Sequence, residues 1–293
     1  MMRGLYRIKA DGNIIEQGNV ITTIGKARVL DSVSGRTSGF AGAIAAGIGT
    51  TTPTINDKAL EYLVGGGDVT VSIPDYVNEK IYIKTSLPAR DQYEIHELGC
   101  FSTNYASVEN PSNGGSILLK VFGSTSQWTA VTGSFTMVTT NNRIGADSIQ
   151  YAINNTTVIG NASMVRDLSD LISTSTFDFA YYANDLSNLL VRFKVDDLNY
   201  YEGSFSVTNG YNISKISKGS FAATGSPDWK NINLLEVEAT STLSTGLVVM
   251  DAIRYSTPST ADSTLLSRAV LITPQTKLMG VSMDIEYVLS LGV

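Results

Sequence analysis

Lys80–Phe101 reads KIYIKTSLPARDQYEIHELGCF. Ile81 and Ile83 alternate with Lys80, Tyr82 and Lys84, the period of two that marks a strand with one wet face. Pro88 breaks the run with a turn. A second strand then leads to Glu97-Leu98-Gly99-Cys100-Phe101, where Gly99 marks a bulge or a close backbone approach. No catalytic motif competes with this stretch, which speaks of architecture before chemistry.

The same period recurs along the chain. Val191, Phe193 and Val195 alternate with Arg192, Lys194 and Asp196. Leu247–Tyr255 is apolar on both sides for most of its length and is expected at the centre of a sheet. Ile285, Tyr287, Leu289 and Leu291 alternate with Asp284, Glu286 and Ser290 in a final strand. Turn residues punctuate these runs at Gly65-Gly66-Gly67, Asn113-Gly114-Gly115, Asn209-Gly210 and Gly225-Ser226-Pro227. Helical signals are few: small residues over Ser38–Ile48, a segment capped by Asn56-Asp57 with Ala59, Leu60 and Leu63, and Met164–Ile172. The expected class is all-β, a sandwich or jelly roll.

The 293 residues suffice for one large domain or two ordinary ones. Two polar, turn-rich stretches, Asn104–Ser116 and Ser256–Ser263, bracket a block beginning near Trp128 and ending at Tyr255. They divide the chain into a discontinuous outer domain, 1–105 with 258–293, and an inserted domain, 106–257. Termini of compact domains lie close together, which is what makes insertion tolerable.

Of the residues, 43% are hydrophobic and 16% charged, with a formal net charge of −6. The acidic balance and the lack of a basic arm exclude a nucleic-acid footprint. The N-terminus lacks the apolar centre of a signal peptide, and no apolar run approaches membrane length, so no membrane insertion is expected. With Cys100 as the only cysteine, no internal disulfide exists.

Little chemistry is nominated. His96, the only histidine, would have to serve any Ser-His-Asp or Cys-His site, and reads instead as a strand residue. Gly47–Thr52 is no phosphate loop, because Pro53 follows where such a loop opens into a helix. No carboxylate pair is singled out for glycoside hydrolysis, so an enzyme is not expected. No cofactor is called for. An oxygen-ligand cation such as Ca2+ is admitted by Asp147, Asp167, Asp170 and Asp178, without EF-hand spacing. Lys26, Arg28, Arg268 and Lys277 read as solvated charge. Of the aromatic residues Trp128, Tyr181, Tyr182, Tyr200, Tyr201, Tyr211 and Trp229, the candidate glycan contacts are Tyr200, Tyr201 and Tyr211. Adjacent strand residues face opposite sides, so one of Tyr200 and Tyr201 must look outward. The tryptophans read as core.

Three short motifs stand in order: Gly25–Val33 (GKARVLDSV), Gly47-Ile48-Gly49-Thr50-Thr51-Thr52-Pro53 followed by Asp57-Lys58-Ala59-Leu60, and Glu97-Leu98-Gly99-Cys100-Phe101. With Ser267–Val270 and the closing strand, they resemble virion structural proteins of tailed bacteriophages of the collar, fibre or head-decoration type. Those carry a G-x-G-T-T-x-P loop, an Asp-x-x-Leu and an E-x-G-x-F strand. The resemblance covers about 1–105 and 265–293. It implies localisation in the virion, partnership with capsid, neck or tail proteins, and self-association, often as trimers. The block between them resembles carbohydrate-binding jelly rolls of the galactose-binding-like type, through Gln127-Trp128, Gly133-Ser134, Trp229 ahead of Ile232–Glu238, and the closing Val249–Tyr255. That implies an inserted jelly roll displayed by an anchoring β-sandwich, with host-surface glycan as a candidate partner. The alternative is a carbohydrate-binding or receptor-binding adhesin.

Overall fold

The computed structural model describes residues 2–10, 13–37, 39–110, 116–121, 128–132, 134–153, 157–257 and 264–292. The turn read at Asn113–Gly115 and residues 258–263 of the second polar stretch lie outside them, as does the side chain of Trp128. The chain is all-β, with four antiparallel sheets. It divides into two compact units, Met1–Ser116 with Ser259–Val293, and Ile117–Pro258.

The outer unit is a sandwich of two five-stranded sheets. One runs in the order β2 (Asn13–Gly18), β1 (Arg3–Ala10), β22 (Met283–Ser290), β7 (Lys80–Leu87), β6 (Val71–Asp75). The other runs β3 (Val20–Ile21), β21 (Leu265–Lys277), β8 (Tyr93–Phe101), β4 (Ala43–Gly47), β5 (Leu63–Asp68). Tyr6, Ile8, Ile83, Ile285, Tyr287 and Leu289 of the first share a core with Ile44, Ile95, Cys100, Leu266 and Ala269 of the second.

The opening stretch is therefore split. β7 and β8 are not hairpin partners: β7 pairs with β22 and β6, β8 with β21 and β4. The turn after Pro88 is a corner between sheets. Sequence periodicity cannot separate a hairpin from a corner, because both leave two strands with a turn between them. β8 is also buried on both faces. Behind it Ala43, Ala45, Leu60, Leu63, Phe101, Val108 and Leu265 form a second small core, closed over by the irregular segment between β4 and β5 and by helix α2 (Tyr105–Glu109).

The three helical readings fail. Ala43–Gly47 is strand β4, and Leu63 opens strand β5. Its small residues serve close packing: a Cβ on Gly47 would stand 2.4 Å from Glu97 Oε1 and 2.5 Å from the Tyr62 carbonyl oxygen. Most of Met164–Ile172 is turn following a strand that ends at Arg166. The longer helix, α1 (Thr23–Val33), lies instead in the GKARVLDSV motif. Thr22 caps it, its Oγ1 accepting from the Gly25 N–H and donating to the Leu265 carbonyl at 2.6 Å. Gly25 is required by contact, since a Cβ there would meet the Leu266 carbonyl oxygen at 2.0 Å.

The inserted unit is a jelly-roll β-sandwich. One sheet runs β10 (Trp128–Ala130), β13 (Thr157–Arg166), β19 (Ile232–Thr240), β15 (Asn188–Lys194), β16 (Tyr200–Phe205), β18 (Ala222–Thr224). The other runs β11 (Phe135–Val138), β12 (Ser148–Ile153), β20 (Gly246–Ser256), β14 (Thr176–Asn184), β17 (Gly210–Ser217), with β9 (Ser116–Val121) also on β20. β20 is central, as its two apolar faces require. Phe177, Phe179, Tyr181 and Met250 pack against Val191, Phe193, Leu235 and Val237. Trp229, partly buried, packs against this core, with its ring 4.0 Å from that of Tyr201 at 9° and 5.7 Å from that of Phe177.

β8 is the outer unit's last strand before the insertion and β21 its first strand after it. Phe101 and Leu265 are register partners there, and the Ser102 N–H donates to the Thr264 carbonyl at 2.8 Å.

Candidate functional site

Residues of two of the outer unit's three motifs meet, with Arg268, in one polar cluster. The segment between β4 and β5 has no regular structure, so its amide groups need acceptors from elsewhere. Glu97, wholly buried on β8, supplies them. Its Oε1 accepts from the N–H groups of Gly49 (3.1 Å) and Tyr62 (2.9 Å), and its Oε2 from Glu61 N–H at 3.1 Å. Arg268 on β21 donates from Nε to the same carboxylate at 2.7 Å, and from Nη1 to Asp57 Oδ2 at 2.9 Å. Its Nη2 reaches Thr51 Oγ1 at 3.1 Å. Arg268 is 4% exposed and Lys277 is fully buried, which corrects their reading as solvated charge. Lys277 donates to the carbonyls of Asp91 and Leu278. Gly49 has no room for a side chain: a Cβ would sit 2.4 Å from Glu61 Cβ. His96, on β8 next to Glu97, is buried with Nε2 2.8 Å from Glu94 Oε2. The cluster is a structural clamp with its donors and acceptors matched to each other.

In the inserted unit the structure places the three candidate tyrosines in three settings. Tyr201 turns inward onto Trp229, its hydroxyl donating to the Pro227 carbonyl at 2.8 Å. Tyr200 turns outward on β16, half-buried. Tyr211 lies on β17 in the opposite sheet, as register partner of Tyr182.

Tyr200 borders a charged network spread over the outward face of β15, β16 and β19. Arg192 is held by three carboxylates: its Nε donates to Glu202, and its Nη1 to Glu236 at 2.8 Å and to Glu238 at 2.7 Å. Glu202 and Glu236 are its cross-strand partners, which is how sheet register brings acid to base. Lys194, two residues on, reaches Glu236 at 3.1 Å and Asp197 at 2.8 Å. The guanidinium carbon stands 5.7 Å from the Tyr200 ring centre. Desolvation opposes the charge on Arg192, but its three carboxylate partners more than offset it and hold its pKa above the usual arginine value. The result is a planar donor fork fixed against the sheet, flanked by an aromatic face and carboxylate oxygens.

Tyr211 donates its hydroxyl to Asp251, a buried carboxylate on β20 that also accepts from Ser148 Oγ (3.0 Å) and from the N–H groups of Arg143 (2.7 Å) and Ile144. Burial pushes the Asp251 carboxyl up to about 6 against the pull of these donors. Arg143 covers the Tyr211 ring at 4.0 Å. Tyr211 is thus engaged in pinning the turn before β12. A lone acid inside the apolar run LVVMDAIRY was the signal for such a buried acceptor; Arg192 and its glutamates, spread over three strands, left no local signal.

Of the four candidate cation ligands, Asp167 and Asp170 share the turn after β13, while Asp147 precedes β12 and Asp178 lies on β14. Asp178 is buried and paired with Lys215 at 3.3 Å, and Asp167 accepts from Ser169 N–H and Oγ. Among the described residues no group of three or more His, Cys, Asp or Glu side chains converges on a metal position. Among them, too, no helix is long and apolar enough to cross a membrane.

No family model matches the chain, and no curated protein matches it. Solved structures do. The family 11 carbohydrate-binding module from Clostridium thermocellum, in complex with a β-1,3-1,4-mixed-linked tetrasaccharide, is similar at 14% identity over 49% of this chain and 96% of its own, with a TM-score of 0.38. A family 30 carbohydrate-binding module is similar at 14% identity over 45% and 87%, TM-score 0.35. TmCBM61 in complex with β-1,4-galactotriose is similar at 12% identity over 45% and 90%, TM-score 0.30.

Proposed function

We propose that the inserted unit binds a neutral carbohydrate on the outward face of β15, β16 and β19, and that the outer unit serves to hold it in place. The observation that carries this is the Arg192 network beside Tyr200. Sugar recognition needs an aromatic face for the apolar side of the ring and fixed donors and acceptors for its hydroxyls. Fixing them beforehand lowers the ordering cost of binding. Two cations stand against four carboxylates, Glu202, Glu236, Glu238 and Asp197. The excess of negative charge disfavours uronate or sulfate and favours an uncharged chain. The network is assigned a binding role, with no bond made or broken.

A glycan array probed with the full chain tests this. Tyr200→Ala is expected to weaken binding by about tenfold or more, and Tyr211→Ala on the other sheet to leave it unchanged. Loss with Tyr211→Ala alone, or silence across neutral glycans, overturns the assignment.

A second reading concerns the outer unit. Several residues carrying its resemblance to phage virion proteins, Gly47, Gly49, Thr51, Asp57 and Glu97, gather with Arg268 at one clamp, as parts of a single device should. This supports an anchoring role in a virion, with capsid, neck or tail proteins as neighbours and self-association. Mass spectrometry of purified particles tests it: absence of the chain from them refutes the virion role.

A further inference from the structure

The turn between β13 and β14 carries backbone carbonyls aimed at one point, and a side chain from elsewhere fills it. Lys218 Nζ donates to the carbonyl oxygens of Leu168 (2.9 Å), Ser169 (3.4 Å) and Leu171 (2.5 Å). An ammonium has three N–H donors, so its valence is met by backbone alone. Burial pulls the Lys218 pKa down from its ordinary value, and the charges of Asp167 and Asp170 on the same turn oppose that pull. The lysine backbone is itself fixed: Lys218 N–H donates to the Ser175 carbonyl at 2.7 Å and Gly219 N–H to that of Ser173 at 2.8 Å. The ammonium also stands 5.3 Å from the Trp229 ring centre, and Leu168 N–H donates to the Trp229 carbonyl at 2.8 Å.

We infer that this turn is a hard-cation site whose cation is the chain's own Lys218 ammonium, and that removing the ammonium opens it to Ca2+. Carbonyl and carboxylate oxygens converging on a positive centre are the ligand set of calcium. Three carbonyls supply the first oxygens; Asp167, whose Oδ1 accepts from Ser169 while the lysine is present, and Asp170 are the carboxylates of the same turn, and water completes the shell. The lysine does by covalent attachment what a dissociable ion does elsewhere, and needs no supply of metal. This inference is independent of the carbohydrate reading.

The test is Lys218→Met in the full chain, with unfolding followed by tryptophan fluorescence. Both tryptophans lie within Ile117–Pro258, so the signal reports on the inserted unit. In chelator the midpoint of the variant is expected to fall by about 5 °C, and about 10 mM Ca2+ to restore at least half of it. The wild type is expected to be indifferent to Ca2+. Asp170→Asn in the Lys218→Met background is expected to abolish the rescue. Terbium gives a second readout: Trp229 should sensitise its emission in Lys218→Met and not in the wild type, and Trp229→Phe should remove it. A variant that folds only with Ca2+ supports the inference. Failure to fold with or without it, an unchanged midpoint, or equal shifts in wild type and variant overturns it.

Discussion

Replacing Glu97 removes the acceptor on which the whole β4–β5 segment hangs, and the size of the effect follows from its partners. Three backbone amides, two of them buried, and the Arg268 Nε lose their oxygen at once. Breaking a buried ion pair by removing one partner costs about 3–5 kcal/mol. Each orphaned amide adds about 1–3 kcal/mol, less than additively because the segment relaxes as a unit. Glu97→Ala should therefore cost at least about 4 kcal/mol, a large share of a stability of about 5–15 kcal/mol. Glu97→Gln keeps the shape but turns an N–H2 toward existing donors, so it should cost about 2 kcal/mol or more. The assay is urea unfolding by far-ultraviolet circular dichroism, with tryptophan fluorescence separating the inserted unit. Hydrogen exchange at Gly49, Glu61 and Tyr62 should accelerate in the same variants. A double-mutant cycle with Arg268→Ala should return a coupling of about 2 kcal/mol or more. A loss below about 1 kcal/mol for both Glu97 variants, or a coupling near zero, refutes the clamp.

Three further outcomes follow. Gly49→Ala drives a Cβ to within 2.4 Å of Glu61 Cβ and should cost about 1–3 kcal/mol by overpacking, read as a lower urea midpoint of the outer unit. The folded Asp251 carboxyl, lifted to about 6 from 3.8, holds its proton more tightly than the unfolded one. Its stabilising share is full below the unfolded value and is lost as pH rises through 6. The difference between wild-type and Asp251→Asn midpoints, by tryptophan fluorescence, should therefore shift against the wild type between pH 4 and 7, by up to about 3 kcal/mol. Trp229→Ala removes a ring packed on Tyr201 and Phe177 and should cost about 3–5 kcal/mol, measured by circular dichroism.

The strands of this fold were legible where burial is one-sided or complete. The alternation in Lys80–Leu87 and Met283–Ser290 and the largely apolar run of Leu247–Tyr255 each correspond to an observed strand. Misreading began where small residues serve packing. Ala43–Gly47 has the composition of a short helix, yet its alanines and glycine let Glu97, Tyr62 and the covering segment approach a sheet buried on both sides. Charge misled likewise. Arg268 resembles any surface arginine until its three acidic or hydroxylic partners, distant in sequence, are brought beside it. Tyr200 and Tyr201 followed strand geometry, one outward and one inward. The network beside Tyr200 depends on register among β15, β16 and β19, which no local pattern encodes.

The pairing of Phe101 with Leu265 carries a thermodynamic consequence. Between Ser102 and Thr264 stand 161 residues, yet their backbones are hydrogen-bonded. While the inserted unit is folded, most of those residues are fixed within it. When it unfolds, they become a long floppy loop, and holding its ends together costs about 3 kcal/mol more than a turn of a few residues. Connectivity alone therefore makes the outer unit sense whether its passenger is folded. A destabilised passenger loosens the strand that carries Arg268 without touching it, and a tight turn spliced in its place would strengthen the host.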